Sequence, residues 1–381
     1  MFANRFFCQF CPELLPFCQF LSGNFTLFPS HDFVLSPDYG TISSDCSLQL
    51  GILSVCCSIC FVLLVRNSNF APRKRIVVGF YKKYSEFLSE YFDGKVQKIA
   101  VNGGFGCPNR DGSVGTGGCT YCNNEGFSPS YCHPATLSIR SQLEKGIEFF
   151  GYKYPAMNYL AYFQTFTNTY ASVDVLRERY DEALAVEKVM GLVISTRPDC
   201  LGDDVLELLH EYAEKTFVML ELGVESMRNE TLRRINRGHT VEQSEAAVRR
   251  AASCGIHVGV HTILGLPGEV YEDFIHQADI LSQWPIETVK LHQLQIVKST
   301  RMAQDFEQHP DDFVRFTPES YADVAVDFIE HLRKDIAIER FTSQMPPEML
   351  ATEGWGIKNH EFLHILERKW KMHQDRKQNI Q

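Results

Sequence analysis

The sequence predicts an α/β fold, a partial (β/α)6 TIM-type barrel of parallel strands with a C-terminal extension. Two observations lead to this prediction. Six short apolar runs alternate with amphipathic stretches after about residue 81, the pattern of parallel βαβ units. The glycine fingerprint of a doubly wound dinucleotide-binding sheet is missing, which favours a barrel. The predicted strands are residues 96–101, 158–163, 191–195, 217–222, 256–262 and 288–294.

The amphipathic stretches between the runs predict the helices that carry the chain back to the next strand. They cover residues 138–150, 173–186, 203–214, 229–253 and 269–283, and a further helix is predicted at 321–332. The last dozen residues are polar and are expected to fray. We therefore divide the chain into a non-core N-terminal extension (1–75), a core (81–315) and a C-terminal helical extension (316–381).

The net charge and the cysteine count argue against two classes of protein. The 381 residues carry a net charge of −10, which argues against a protein that holds nucleic acid by electrostatics alone. The chain has 13 cysteines, an odd number in a long chain, so a secreted disulfide framework explains them poorly. Thiols in a reducing compartment fit better, and we expect a cytoplasmic location.

The N-terminal extension is rich in Phe and Cys and poor in charge. Residues 48–65 (LQLGILSVCCSICFVLLV) form an 18-residue, mostly apolar run followed by basic residues. The run is just long enough for a membrane span, and the trailing charges would put the following chain in the cytoplasm. Other interpretations are upstream sequence that the working protein does not need, or a small folded domain. The core itself is not expected to contact a membrane.

The central motif is a glycine-rich loop directly after the first predicted strand. It carries Cys107, Cys119 and Cys122 in a C-x11-C-x2-C spacing, at the strand end where barrel active sites lie. Three thiolates suit a four-iron cluster with one iron open to a ligand, and Asn109 and Arg110 could stabilise its negative charge. The alternative is a structural zinc site, which needs a fourth ligand; the nearby candidates are Cys132 and His133.

Four further motifs accompany this loop: YFQTFTNTY at 162–170, ELGVES at 221–226, NRGH at 236–239 and LGLPGE at 264–269. In this order, and with the wide first cysteine gap, they resemble the radical S-adenosylmethionine (radical SAM) superfamily. The resemblance is to the YhcC-like bacterial group, close to the radical SAM domain of the elongator catalytic subunit. It runs from about residue 81 to residue 350.

The resemblance implies a role for each matching position. The three cysteines of the loop would ligate a [4Fe–4S] cluster whose open iron takes the methionine moiety of S-adenosyl-L-methionine. Glu225 would bind the ribose and Arg237 the methionine carboxylate, although a helix cap and a surface charge are the ordinary alternatives. Three polar residues stand where many relatives have a Gly-Gly-Glu turn that binds the methionine amine: Gln164, Thr167 and Asn168. Gly265 and Leu291 would border the adenine.

The resemblance also implies the chemistry. Reductive cleavage of S-adenosylmethionine would give a 5′-deoxyadenosyl radical that abstracts a hydrogen from an unidentified substrate, with RNA, and tRNA in particular, as one candidate. A one-electron donor such as flavodoxin or ferredoxin would be the partner. The alternative from another class is a non-catalytic zinc-binding or membrane-tethered scaffold protein. His257, His261 and His292 are expected to be core or pocket-lining residues.

Overall fold

The structure is a computed structural model that describes residues 79–123, 129–132, 137–152, 157–343 and 345–380. The apolar run 48–65 lies outside these ranges. Within them, no helix is both long and apolar enough to cross a bilayer.

Eight parallel strands form one sheet in the order β1-β8-β7-β6-β5-β4-β3-β2. All six predicted strands are present, which confirms the α/β barrel-type fold. The strands are β1 (Lys82–Lys83), β2 (Val96–Val101), β3 (Asn158–Phe163), β4 (Val189–Thr196), β5 (Phe217–Glu225), β6 (His257–Leu264), β7 (Thr288–Gln293) and β8 (Ala337–Arg340).

Two strands were not predicted. β1 has two residues, both lysines, and β8 has four, two of them charged. Neither segment is long or apolar enough to stand out as a strand. β8 lies within the segment expected to be a helical extension, yet it pairs with both β7 and β1. The C-terminal segment therefore contributes to the sheet itself.

Helices alternate with the strands along the described part of the chain. They are α1 (Tyr84–Leu88), α2 (Pro108–Asp111), α3 (Ile139–Gly151), α4 (Val173–Leu184), α5 (Asp203–Ala213), α6 (Asn229–Arg234), α7 (Val241–Ser253), α8 (Tyr271–Gln283), α9 (Arg301–Gln308), α10 (Pro318–His331) and α11 (Asn359–Ile380). Residues 229–253 hold more than one helix, as predicted, and the break falls where Asn236 and Gly238 adopt positive φ angles that a helix cannot contain. The polar C-terminal residues continue α11 instead of fraying.

The sheet curls into an open barrel. Lys98 on β2 contacts Glu339 on β8 at 2.7 Å, so strands from opposite ends of the sheet meet across the interior. Side chains on the outer face of the sheet pack against the helices in the main hydrophobic core. A second cluster fills the amino-terminal end of the barrel, where Phe87 of α1 packs near Phe217 of β5. The carboxyl ends of the strands are left to form a pocket.

Candidate functional site

A pocket of about 230 Å³ lies at the carboxyl ends of the strands. Its wall includes all three cysteines of the glycine-rich loop together with residues that end β3, β4, β5, β6, β7 and β8. Because parallel strands present their carboxyl ends at one edge, motifs far apart in the sequence meet here. The pocket is therefore the candidate site.

Positively polarised N–H groups contact two sulfur atoms of the cysteine loop. Nη2 of Arg110 lies 3.3 Å from Sγ of Cys122, and Nδ2 of Asn109 lies 3.6 Å from Sγ of Cys119. Burial raises the pKa of the Cys122 thiol, and the hydrogen bond from Arg110 opposes that rise. The expected role of Asn109 and Arg110 beside the sulfur atoms is thus matched by their position.

The break between α6 and α7 holds this loop in place. Asn236 donates through Nδ2 to the carbonyl oxygen of Gly118 at 2.8 Å, and its own carbonyl accepts from Nδ2 of Asn109 at 2.6 Å. The Thr120 amide donates to the Ile235 carbonyl at 2.9 Å. A continuous helix would keep these carbonyls for itself, so the break is what anchors the loop.

Arg237 links the cysteine loop to β5. Its Nη2 donates to the Gly223 carbonyl at 2.6 Å and lies 3.5 Å from Oε1 of Glu225, while Nη1 lies 3.5 Å from Sγ of Cys119. Burial acts to lower the pKa of Arg237, but neighbouring Tyr121, Cys119 and Glu225 together raise it well above its usual value. Nε of Arg237 is buried without a partner in the described part of the chain.

The backbone at the carboxyl end of β5 positions the Arg237–Glu225 pair. Glu225 adopts φ 69°, a left-handed conformation that costs a non-glycine residue on the order of 1 kcal/mol and that concentrates at functional sites. Gly223 leaves room for the ion pair, because a Cβ there would lie 2.5 Å from Nη2 of Arg237 and 2.6 Å from Oε1 of Glu225.

A buried layer of charge forms the floor of the pocket. Glu221 of β5 is fully buried and accepts hydrogen bonds from Lys290 at 2.5 Å, from Nε2 of His261 at 3.0 Å and from Lys98. Glu339 lies 3.1 Å from Lys290. Burial lowers the pKa of Lys290 to about 8, although Glu221 and Glu339 oppose that shift. The same burial also lowers the pKa of His261.

Most of the predicted site residues meet in this pocket. Seven of the ten line it: Cys107, Cys119, Cys122, Gln164, Thr167, Glu225 and Arg237. His261 and His292 also line it, as expected, whereas His257 sits at the opposite end of the barrel against Glu287 at 2.7 Å.

Three of the predicted cofactor contacts do not line the pocket: Asn168, Gly265 and Leu291. Asn168 donates through Nδ2 to the carbonyls of Phe163 and Ser195 and ties β3 to β4. Leu291 points to the helix side of β7 and packs in the main core, because alternate residues of a strand face opposite sides. Gly265 turns the chain at φ 91° beneath Phe316 and does not line the pocket.

Sequence reasoning missed several residues of the pocket wall. Tyr162, Arg197, Glu221 and Arg340 all line it, and Lys290 lies immediately beneath. Glu221 and Lys290 carried a usable signal, since a charge inside an apolar strand must find a partner. Arg340 carried none, because it ends a strand that the sequence did not reveal.

The thiols do not have the spacing of ligands to a single ion. Zinc–sulfur bonds of about 2.3 Å keep ligand atoms within roughly 4 Å of one another. Among the described residues, a set of three candidate ligands within 4.8 Å occurs at Asp327, Glu330 and His373 on α10 and α11, and the three pocket cysteines do not form such a set. Cys132 contacts the Ala100 carbonyl instead, and His133 lies outside the described residues. The zinc alternative is not favoured.

The pocket fits a cluster and a polar cofactor. Three thiols can ligate three irons of a four-iron cluster and leave the fourth open to a ligand. Buried polar atoms without partners in the described part of the chain belong to five residues of the wall: Thr165 Oγ1, Arg197 Nη1, Arg237 Nε, His292 Nε2 and Gln295 Oε1. Buried polar groups are normally hydrogen-bonded, so these atoms are suited to a ligand with several polar groups.

Comparison with known families and proteins supports the same assignment. Residues 101–280 match the model of the Radical SAM superfamily, and residues 286–371 match a Radical_SAM C-terminal domain. The chain is 37% identical over 266 residues to protein YhcC of Escherichia coli (strain K12), which covers 69% of this chain and 84% of that protein.

Two further similarities involve longer proteins. A 110-residue stretch is 32% identical to a tRNA uridine(34) acetyltransferase of Methanocaldococcus infernus, covering 26% of this chain and 20% of that protein. The structure of the archaeal Methanocaldococcus infernus Elp3 with an N-terminal deletion superposes with a TM-score of 0.54 at 17% identity, covering 73% of this chain and 63% of that one. The latter likeness shows a shared fold.

Proposed function

Since this chain belongs to the YhcC-like group of the radical SAM superfamily, and its cofactors are therefore a [4Fe–4S] cluster and S-adenosylmethionine, we propose that it is an enzyme that abstracts a hydrogen atom from its substrate. When bound, the two cofactors together supply a 5′-deoxyadenosyl radical. The observation that carries the proposal is that three thiols and an Arg–Glu pair from separate motifs line one pocket.

Cys107, Cys119 and Cys122 are the proposed cluster ligands. The donors beside two of the sulfur atoms, from Arg110 and Arg237, would stabilise thiolate over thiol because each places positive charge near sulfur. The fourth corner of the cluster is then left for the cofactor.

Arg237 and Glu225 are the proposed anchors for S-adenosylmethionine. A guanidinium pairs well with a carboxylate, and a carboxylate accepts hydrogen bonds from ribose hydroxyls. The 3.5 Å separation of the two side chains would hold those two parts of the cofactor in one orientation. Gln164 and Thr167, which line the same pocket, are the proposed contacts for the methionine amine.

We propose tRNA as the first substrate class to test, since a relative over 110 residues is a tRNA uridine(34) acetyltransferase. Two of the basic residues near the C-terminus are already paired, Lys369 with Asp323 and Lys377 with Glu330, and Trp370 stacks on Phe80 at 4.8 Å. A cytoplasmic location and a flavodoxin- or ferredoxin-type electron donor complete the proposal.

The test is formation of 5′-deoxyadenosine by anaerobically reconstituted protein given dithionite and S-adenosylmethionine, with and without bulk tRNA. Cys119→Ala should abolish the product. Cys132→Ala is the matched control, because this buried thiol contacts the Ala100 carbonyl and does not line the pocket. Equal product from wild type and Cys119→Ala would contradict the proposed site. A tRNA-dependent rise in product would support tRNA, and its absence would remove that class.

A further inference from the structure

Arg340 differs from the other arginines of the pocket. Arg197 binds Asp199, Arg237 lies beside Glu225, and Arg110 contacts the Cys122 sulfur. The guanidinium of Arg340 makes no hydrogen bond or ion pair within the described part of the chain, although it lines the pocket and is half-buried. A partly desolvated guanidinium without a partner is costly unless a ligand supplies the anion.

A bulge in β8 aims this side chain inward. Val289 pairs with Ile338, but the next residue of β7, Lys290, pairs with Arg340, so Glu339 is the extra residue of β8. Glu339 points inward to contact Lys98 and Lys290. Without the bulge, Arg340 would face the helices, as Ile338 does. Bulges that redirect a side chain are common next to active sites.

The floor of the pocket holds more positive than negative charge. Lys98, Lys290 and Arg340 face two carboxylates, Glu221 and Glu339, and both carboxylates are used by the lysines. The charge of Arg340 is thus left without a counterion on this wall. An anionic ligand group would neutralise it in a setting where Coulomb attraction is strong.

His292 offers a second polar atom on the same wall. Its Nε2 is buried and has no hydrogen-bond partner among the described residues, and it lines the pocket beside β8. Burial, followed by the charge of Arg340, lowers the pKa of His292 well below its usual value, so the ring is neutral and can donate one hydrogen bond. A neighbouring cavity, lined by Phe316 and Trp355, shares Gln293 and Ser343 with this pocket.

We propose that Arg340, with His292, binds an anionic group of the substrate, a carboxylate or a phosphate, at the carboxyl ends of β7 and β8. This inference rests on the proposed function, because it names a feature of the molecule that the radical would attack. The adjoining aromatic-lined cavity would receive an apolar or aromatic part of the same molecule. Arg237 and Glu225 remain with S-adenosylmethionine.

The test is the rate at which phenylglyoxal labels Arg340 in the cluster-loaded full chain, measured by peptide mass spectrometry. Inorganic phosphate and acetate are added separately, and the anion that protects at lower concentration identifies the preferred group. We expect at least fivefold slower labelling of Arg340 by one of them and no change at Arg249, an exposed arginine paired with Glu245 on α7. No labelling without anions, or no protection with either, would overturn the inference.

Two further measurements distinguish an anion site at Arg340 from the cofactor site and from an anion site elsewhere. S-adenosylmethionine alone should leave Arg340 labelling within twofold; full protection would place Arg340 in the cofactor site and overturn the inference. Arg340→Gln should no longer broaden the NMR signal of the protecting anion, whereas Arg249→Gln should broaden it as wild type does. Equal broadening by Arg340→Gln would place the anion elsewhere. If the wild type forms 5′-deoxyadenosine but neither anion protects Arg340 from labelling, the proposed function stands and only this inference is overturned.

Discussion

Gly223→Ala tests the Arg237–Glu225 pair without removing a charge. The added Cβ would lie 2.5 Å from Nη2 of Arg237 and 2.6 Å from Oε1 of Glu225. Ordinary contact begins near 3.4 Å, so each side-chain end must move by about 1 Å. Both atoms are ends of side chains, so the backbone can stay in place and the variant should lose only about 1–2 kcal/mol of stability.

Binding of S-adenosylmethionine should suffer more than stability. A displacement of about 1 Å in a positioning group can cost on the order of 100-fold, and we expect the dissociation constant of the cofactor to rise between 10- and 100-fold. Equilibrium dialysis with labelled S-adenosylmethionine on cluster-loaded protein measures this rise. Visible absorption of the cluster reports whether the cysteine loop is still intact.

Gly259→Ala is the matched control. Gly259 lies on the neighbouring strand β6 and also faces the interior, where a Cβ would collide with Thr288 Oγ1 and lie 2.8 Å from the Met219 methyl. This position is away from the pocket wall. The control should lose stability and keep its affinity for the cofactor. Unchanged affinity in Gly223→Ala, or an equal loss in both variants, would refute the role of the pair.

Three other predictions concern buried residues. Burial raises the pKa of Glu269 to about 7, so this carboxyl keeps its proton in the folded state at pH values where the unfolded chain has lost it. The free energy of unfolding therefore falls as pH rises through 7, by on the order of 3 kcal/mol. Glu269→Gln should remove the corresponding fall in melting temperature between pH 5 and 8. Leu291→Ala should cost about 2–5 kcal/mol in urea unfolding and leave cofactor affinity within twofold, whereas a larger loss of affinity would restore Leu291 to the site. Lys290→Met should cost about 3–5 kcal/mol, because Glu221 loses its 2.5 Å partner, and the double variant with Glu221→Gln should recover part of that stability.

The sequence was informative where a local pattern has one structural meaning. Apolar runs such as 191–195 must be strands of a parallel sheet covered on both faces, and the predicted strands are all present. The cysteine spacing and the polar residues after strands predicted one shared pocket, because carboxyl ends of parallel strands meet at one edge. Glu225 and Arg237, twelve residues apart, lie together there.

Other features depend on contacts between segments that are far apart in the sequence. Leu291 packs in the main core on the helix side of β7, and because side chains alternate along a strand, a shift of one residue decides which face a side chain takes. Asn168 has a polar side chain in the right motif, but two backbone carbonyls use its amide. More than one helix is predicted across 229–253, but the position of the break at Asn236 depends on contacts with the cysteine loop, which is distant in the sequence.

The sequence by itself determined the class of fold, the cysteine loop and the order in which site motifs reach the pocket, since each depends on residues close together in the chain. The tertiary structure alone decided that β8 joins the sheet, that its bulge turns Arg340 inward, and that Lys98 and Lys290 share Glu221 and Glu339. Those features depend on strand register and on charges that meet only when the sheet curls. Their energies arise between distant segments, so no single segment encodes them.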